Sequence, residues 1–94
     1  MTWNIEFLDE AEKDIIKLDH SVQCQVMKGI QKVSQNPLSV LEGGYGKPLG
    51  HKPGINLTNL LKIKFKNLGI RVVYKVVQIN RVMKIIIISA RTDR

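Results

Sequence analysis

The sequence predicts an α+β domain: a first strand, a two-helix hairpin, and then three antiparallel strands that form a twisted sheet with the helices packed on one face. Apolar residues recur at helical spacing early in the chain, whereas they alternate with polar residues in the last third. Helices grouped before a run of strands are typical of the α+β class. A chain of 94 residues suits one core, so we expect a single domain over residues 1–94.

The first strand and the first helix are predicted from "TWNIEFLDEAEKD" and the residues that follow. Trp3, Ile5 and Phe7 alternate with polar residues, as in a short strand with one buried face. Asp9 is the expected cap of the first helix, which should end near Asp19.

The second helix is predicted to run from a cap at Ser21 to the break formed by Asn36 and Pro37. Gly29 lies at the edge of its apolar stripe, where a glycine costs about 1 kcal/mol relative to alanine. Its presence indicates that the first helix or the sheet approaches closely at this point.

A loop and three strands make up the rest of the chain. Residues 42–59, "EGGYGKPLGHKPGINLTN", contain five glycines and two prolines, and their spacing is not that of a nucleotide-binding loop. Leu61, Ile63 and Phe65 then alternate with lysines, a turn follows at "KNLG", and "IRVVYKVV" forms the next strand. The last strand, "VMKIIIIS", is so rich in β-branched residues that we expect it inside the sheet.

Composition and charge narrow the class of protein. The single cysteine, Cys24, excludes a disulfide scaffold. The acidic start of the sequence and the lack of a long apolar run predict a cytoplasmic protein. The formal charge of +7 is uneven: residues 43–94 carry eleven bases and one acid, whereas residues 1–42 carry four bases and seven acids. This asymmetry predicts a half that binds polyanions, and a basic surface that serves only solubility is the alternative.

The basic residues concentrate in "LKIKFKNLGIRVVYK", residues 61–75. Lys62, Lys64 and Lys66 fall on every second residue, and alternate residues of a strand share a face. If the apolar residues face the helices, these lysines face away from them, beside Arg71 and Lys75 of the next strand. Because like charges side by side lower stability, we expect this face to bind phosphates.

The residue types present restrict the chemistry of this face. Asp93 is the one acid of residues 43–94, so a magnesium site held by carboxylates is not expected, and the cysteine and histidines form no clear nucleophile pair. RNA supplies its own nucleophile, the 2′-hydroxyl, so that a base, an acid and cations around the phosphate suffice. The sequence therefore permits RNA cleavage without a metal or cofactor.

Several stretches, taken in order, resemble one family over nearly the whole chain. "WNIEFLDEAEKDIIKLD", the helix ending "NP", "GKPLG", "LLKIKFKNLGIRVVYKV" and "IIIISAR" resemble the RelE/ParE superfamily of bacterial toxins from type II toxin–antitoxin systems. The resemblance implies a toxin held inactive by a cognate antitoxin, with no membrane partner, and with operator DNA contacted only through the antitoxin complex. The RelE branch implies an mRNA endonuclease that acts on the ribosome and inhibits translation.

The resemblance also implies roles for single residues. Lys62 and Lys64 match the positions used for proton transfer and phosphate binding, and Arg71 matches the arginine that stabilises the transition state. The expected catalytic set is Lys62, Lys64, Arg71 and Arg91. The expected RNA- or phosphate-binding set is Lys66, Lys47, Lys75 and Arg94.

Two alternatives to the RelE reading stay open. ParE-type relatives share the fold but poison DNA gyrase, and they lack the basic set on the sheet, so the lysines together with Arg71 favour RelE. A catalytically impaired RNA-binding relative is the other alternative, because the sequence stops at Arg94 where the family commonly continues into a tail that contains a tyrosine. Tyr74 lies opposite Arg71 by alternation, so we expect it in the core.

Overall fold

A computed structural model describes residues 2–49 and 60–90 of the chain. In chain order its helices and strands are β1 (Asn4–Phe7), α1 (Asp9–Ile16), α2 (His20–Val33), β2 (Lys47–Pro48), β3 (Leu60–Phe65), β4 (Ile70–Val77) and β5 (Val82–Ala90). Short 3₁₀ turns at Val40–Glu42 and Gln78–Asn80 lie in two of the connections. No helix within the described ranges is long and apolar enough to cross a membrane.

The strands of the described ranges form one sheet in the order β1-β5-β4-β3-β2. β1 is parallel to β5, whereas all other neighbours are antiparallel. β5 therefore lies inside the sheet, as its β-branched sequence predicted. The predicted α+β class, with two helices and a mainly antiparallel sheet, is confirmed.

β2 is a two-residue strand within the segment that the sequence predicted to be a loop. Lys47 and Pro48 pair with Lys62 and Leu61 at the outer edge of β3. Proline is tolerated at an edge because its missing N–H is not needed by a further strand. The pairing attaches the glycine-rich segment to the sheet on the β3 side.

The core lies between the two helices and one face of the sheet. Fully buried side chains come from alternate positions of the strands and from the inner side of α2; the largest are Tyr74, Ile30, Met83, Ile85, Val26 and Val72. At Gly29 the ring of Phe65 in β3 approaches so closely that an added Cβ would overlap it. The predicted close approach is therefore confirmed, and the sheet is the element that approaches.

Both helices begin earlier than predicted. Asp9 is the first residue of α1 rather than its cap, and Leu8 precedes it. α2 begins at His20 after Asp19, so Ser21 lies within the helix. Neither preceding residue makes a side-chain capping hydrogen bond, and the acidic first turn of α1 instead favours the helix dipole.

The ends of the helices have different causes. α1 ends at Ile16, before the predicted position, because Gln23 of α2 donates hydrogen bonds to the carbonyl oxygens of Ile16 and Leu18 at 3.2 and 3.1 Å. These hydrogen bonds satisfy the two carbonyl oxygens, which backbone N–H groups of a further helical turn would otherwise satisfy. α2 ends at Val33, ahead of Pro37, as predicted.

Tyr74 joins the core to the segment between α2 and β2. Its side chain is fully buried, as predicted, and its hydroxyl donates a 2.7 Å hydrogen bond to the carbonyl oxygen of Pro37. Burial raises the pKa of the Tyr74 phenol well above its ordinary value. Gly46 packs against this hydroxyl, since an added Cβ there would overlap the oxygen. Tyr74 is thus part of the core.

Candidate functional site

The register of β3 and β4 places basic residues on the face of the sheet opposite the buried core. Lys64 pairs with Arg71 and Lys62 pairs with Val73, whereas the alternate pair Leu61 and Tyr74 is buried. Cross-strand partners share a face, so the basic residues gather on the other one. We call this surface the basic face and define it as Lys47, Lys62, Lys64, Arg71, Lys75 and Lys84.

The pair of Lys64 and Arg71 forms the end of the basic face that lies next to the turn between β3 and β4. Both side chains are half-buried, and their strands lie about 4.8 Å apart. The Nε atom of Arg71 is buried and has no hydrogen-bond partner within the described part of the chain. A buried donor without an acceptor is costly, and phosphate oxygens are acceptors that suit the planar guanidinium. This pair is therefore the best-supported phosphate position.

Lys62 and Lys47 form the neighbouring row of the basic face. β2 places Lys47 directly opposite Lys62. Lys62 lies two residues before Lys64 on the same strand, a distance of about 7 Å along the strand. The sequence predicted a loop at Lys47, and the short strand β2 instead fixes this lysine beside the expected catalytic residues.

Lys75 and Lys84 lie at the other end of the basic face. They pair with each other across β4 and β5, and Lys75 is four residues, or about 13 Å, from Arg71 along its strand. The sequence analysis placed Lys84 in neither expected set, and its position on this face follows from the antiparallel pairing of β4 with β5 next to their turn. Glu6 of β1 pairs with Lys84, so this end also carries an acid.

Lys66 lies beyond the end of its strand. β3 ends at Phe65, and Lys66 begins the turn that leads to β4. Its side chain is exposed and lines a cavity together with Lys28 of α2. Within the strand, the predicted alternation of lysines is therefore limited to Lys62 and Lys64.

The basic face can hold an anionic backbone and stabilise negative charge that develops on a phosphate. Ammonium and guanidinium groups fixed on paired strands need little reorganisation when that charge appears. Within residues 2–49 and 60–90, no group of three His, Cys, Asp or Glu side chains is placed to hold a metal ion. Arg91 and Arg94, the remaining members of the expected sets, lie outside the described residues.

Solved structures that match this arrangement of helices and strands include RelE proteins. The chain matches the isolated E. coli RelE toxin with a TM-score of 0.78 at 24% sequence identity, over 98% of this chain and 87% of that one. This chain has the RelE fold. The RelE likeness predicted from the sequence is thus confirmed in the structure.

Two further RelE-fold matches come from toxin–antitoxin complexes. The RelBE2 complex from Mycobacterium tuberculosis matches with a TM-score of 0.74 at 21% identity, over 97% of this chain and 100% of that one. The archaeal RelE-RelB complex from Pyrococcus horikoshii OT3 matches with a TM-score of 0.66 at 16% identity, over 100% of both chains. Comparison with models of known protein families and with curated proteins gave no match.

Proposed function

We propose that this protein is the toxin of a type II toxin–antitoxin system and that its basic face cleaves messenger RNA on the ribosome. The observation that carries the proposal is the pairing of Lys64 with Arg71, with Lys62 in the adjacent row, on a sheet of the RelE fold. The buried Nε atom of Arg71 supports a phosphate at this point.

The proposed reaction uses the RNA as its own nucleophile. The 2′-oxygen attacks the adjacent phosphorus while the bond from phosphorus to the 5′-oxygen of the next nucleotide breaks. Lys62 and Lys64 bind the phosphate and take part in moving the proton from the 2′-hydroxyl to the leaving 5′-oxygen. Arg71 donates hydrogen bonds to the phosphate oxygens as charge develops, and Arg91 adds a further positive charge. The products are a 2′,3′-cyclic phosphate and a 5′-hydroxyl end.

The remaining bases of the expected set bind the RNA on either side of the cut. Lys47 beside Lys62, and Lys75 further along β4, lie on the side of the Lys64–Arg71 pair away from the turn, whereas Lys66 lies in the turn on the other side. Such contacts supply affinity without sequence preference. Lys66 and Arg94 complete this proposed set.

A cognate antitoxin is the proposed partner of the toxin in the cytoplasm. The matched structures from Mycobacterium tuberculosis and Pyrococcus horikoshii are toxin–antitoxin complexes, which supports this partner. The basic face is also a suitable surface for an acidic protein segment. Operator DNA is then contacted only through the complex.

Production of the protein without an antitoxin in bacterial cells tests the proposed function. Growth should stop, and translated messages should carry cuts that depend on the ribosome and end in 2′,3′-cyclic phosphates. Arg71→Ala or Lys64→Ala should lower the cleavage rate by about 10²–10³-fold, as expected when a group that stabilises the transition state is removed. Lys17→Ala removes an exposed lysine next to α1 and is the matched control, which should remain toxic.

The gyrase alternative gives a different result in the same cells. Growth arrest with intact messages and double-strand DNA breaks would contradict RNA cleavage and support a gyrase target. Binding of RNA without cleavage by the wild-type protein would support the catalytically impaired alternative.

A further inference from the structure

A cavity of 330 Å³ lies at the tip of the β3–β4 hairpin, where the turn meets α2. It is separate from the pair of Lys64 and Arg71, which lies on the other face of the sheet. The side chains that line it are Gln25, Lys28, Phe65, Lys66, Asn67 and Leu68.

The chemistry of the lining combines an apolar surface with amides and cations. Phe65 and Leu68 are half-buried and form the apolar part. Lys28 comes from α2 and Lys66 from the turn, so the two ammonium groups are contributed from different elements. Among the described residues that line the cavity, none is acidic.

This combination suits a nucleotide. A planar base can pack on the apolar surface, the amides of Gln25 and Asn67 can donate to and accept from its edge, and the lysines can hold the attached phosphate. The volume lies at the lower end of the range of small-ligand sites, which is appropriate for one nucleotide rather than for a longer segment.

The position of the cavity relates it to the phosphate position on the basic face. Lys66 follows Lys64 by two residues and lies in the turn, and the cavity lies on the helix side of the sheet, opposite the face that carries Lys64 and Arg71. An RNA strand whose phosphate lies between Lys64 and Arg71 therefore has to pass around the hairpin tip, where Lys66 lies, to reach the cavity.

We propose that this cavity is a base-binding subsite for a nucleotide that lies past the hairpin tip from the cleaved phosphate, so that it contributes to RNA preference. The inference rests on the proposed function, because it requires that single-stranded RNA occupies the basic face. An acidic protein segment is the competing occupant, and the two amides in the lining together with the small volume favour the nucleotide.

Salt-dependent binding of a 2′-O-methyl RNA hexanucleotide tests the phosphate contact. The methyl group blocks the nucleophile, so binding is measured without cleavage. For single strands the slope of log K against log salt is about −0.7 per phosphate contact. Lys28→Ala should therefore reduce the slope by about 0.7 and weaken binding, whereas the matched control Lys17→Ala should leave both unchanged.

Base contacts are tested with hexanucleotides that differ at one position at a time. Gln25 and Asn67 are exposed, so their replacement should not disturb the fold. Gln25→Ala and Asn67→Ala should each weaken binding of the preferred base by about 2- to 10-fold, as expected for one or two lost hydrogen bonds, and should leave the salt slope unchanged. A base preference that becomes weaker in these variants would support the subsite.

The outcomes separate this inference from the proposed function. RNA binding and base preference that are the same in wild type, Lys28→Ala and Gln25→Ala would overturn the subsite, even if Arg71→Ala still abolishes cleavage. The same variants binding RNA normally but retaining less antitoxin would assign the cavity to an acidic protein segment instead. A wild-type protein that neither binds nor cuts RNA would overturn both proposals.

Discussion

Replacement of Tyr74 by phenylalanine removes the hydroxyl that ties the core to the segment before β2. The ring continues to fill its fully buried position, so the change isolates one hydrogen bond, the 2.7 Å contact with the carbonyl oxygen of Pro37. Leaving a buried acceptor without its donor costs about 1–3 kcal/mol. For a domain of this size, that corresponds to a fall in Tm of about 5–20 °C.

The pH dependence of stability gives a second measure of the same group. Because burial raises the pKa of Tyr74 in the native state, the unfolded chain loses its phenolic proton first as pH rises above about 10. The stabilisation is fully present below that pH, and above it the unfolding free energy should fall by about 1.4 kcal/mol per pH unit from this residue alone. In Tyr74→Phe this fall in the unfolding free energy above about pH 10 should be absent, because phenylalanine has no proton to lose.

Urea denaturation followed by circular dichroism, at neutral pH and between pH 9 and 11, measures both effects. Tyr45→Phe is the matched control, because Tyr45 is 49% exposed and its contact with Lys32, 5.9 Å from the ring centroid, depends on the ring. The unfolding free energy of Tyr45→Phe should differ from that of wild type by less than about 0.5 kcal/mol. Equal stability of Tyr74→Phe and wild type at neutral pH, or an equal loss above pH 10, would refute the reasoning.

Two other substitutions test packing around the sheet. Asp14→Ala removes the carboxylate that accepts a 3.2 Å hydrogen bond from the backbone N–H of Ile88. The unfolding free energy should fall by about 1–2 kcal/mol. Asp14→Asn keeps an oxygen that can accept this hydrogen bond, so its unfolding free energy should stay close to that of wild type. Amide hydrogen exchange at Ile88 should be faster in Asp14→Ala, and unchanged exchange would contradict this role. Gly29→Ala should destabilise the protein in urea despite better helix propensity, because its Cβ would overlap Phe65, and a gain in stability would show that the ring can move.

The sequence was informative where side-chain period alone decides the structure. Lys62, Lys64 and Arg71 share a face because strict alternation along β3 and β4 leaves the apolar residues no other side. Tyr74 was placed in the core by the same rule. The fold class followed from grouped helical and strand patterns, which are global features of the chain.

Features that depend on contacts between distant residues could not be predicted in this way. α1 ends early because Gln23, seven residues beyond Ile16, satisfies its carbonyl oxygen. β2 is too short to produce a periodic pattern, so Lys47 gained its place only through pairing with Lys62. The position of Lys84 beside Lys75 depends on the pairing of β4 with β5, which composition and spacing do not specify.

The parallel pairing of β1 with β5 determines the order in which the chain can fold. Asn4 pairs with Val82, so the first strand to be synthesised must wait for the last before it enters the sheet. The β3–β4 hairpin is local and can form early, whereas closing the long loop between β1 and β5 is slow. A nascent chain therefore exposes an unpaired first strand, and the basic face gains its full support only when synthesis has passed β5.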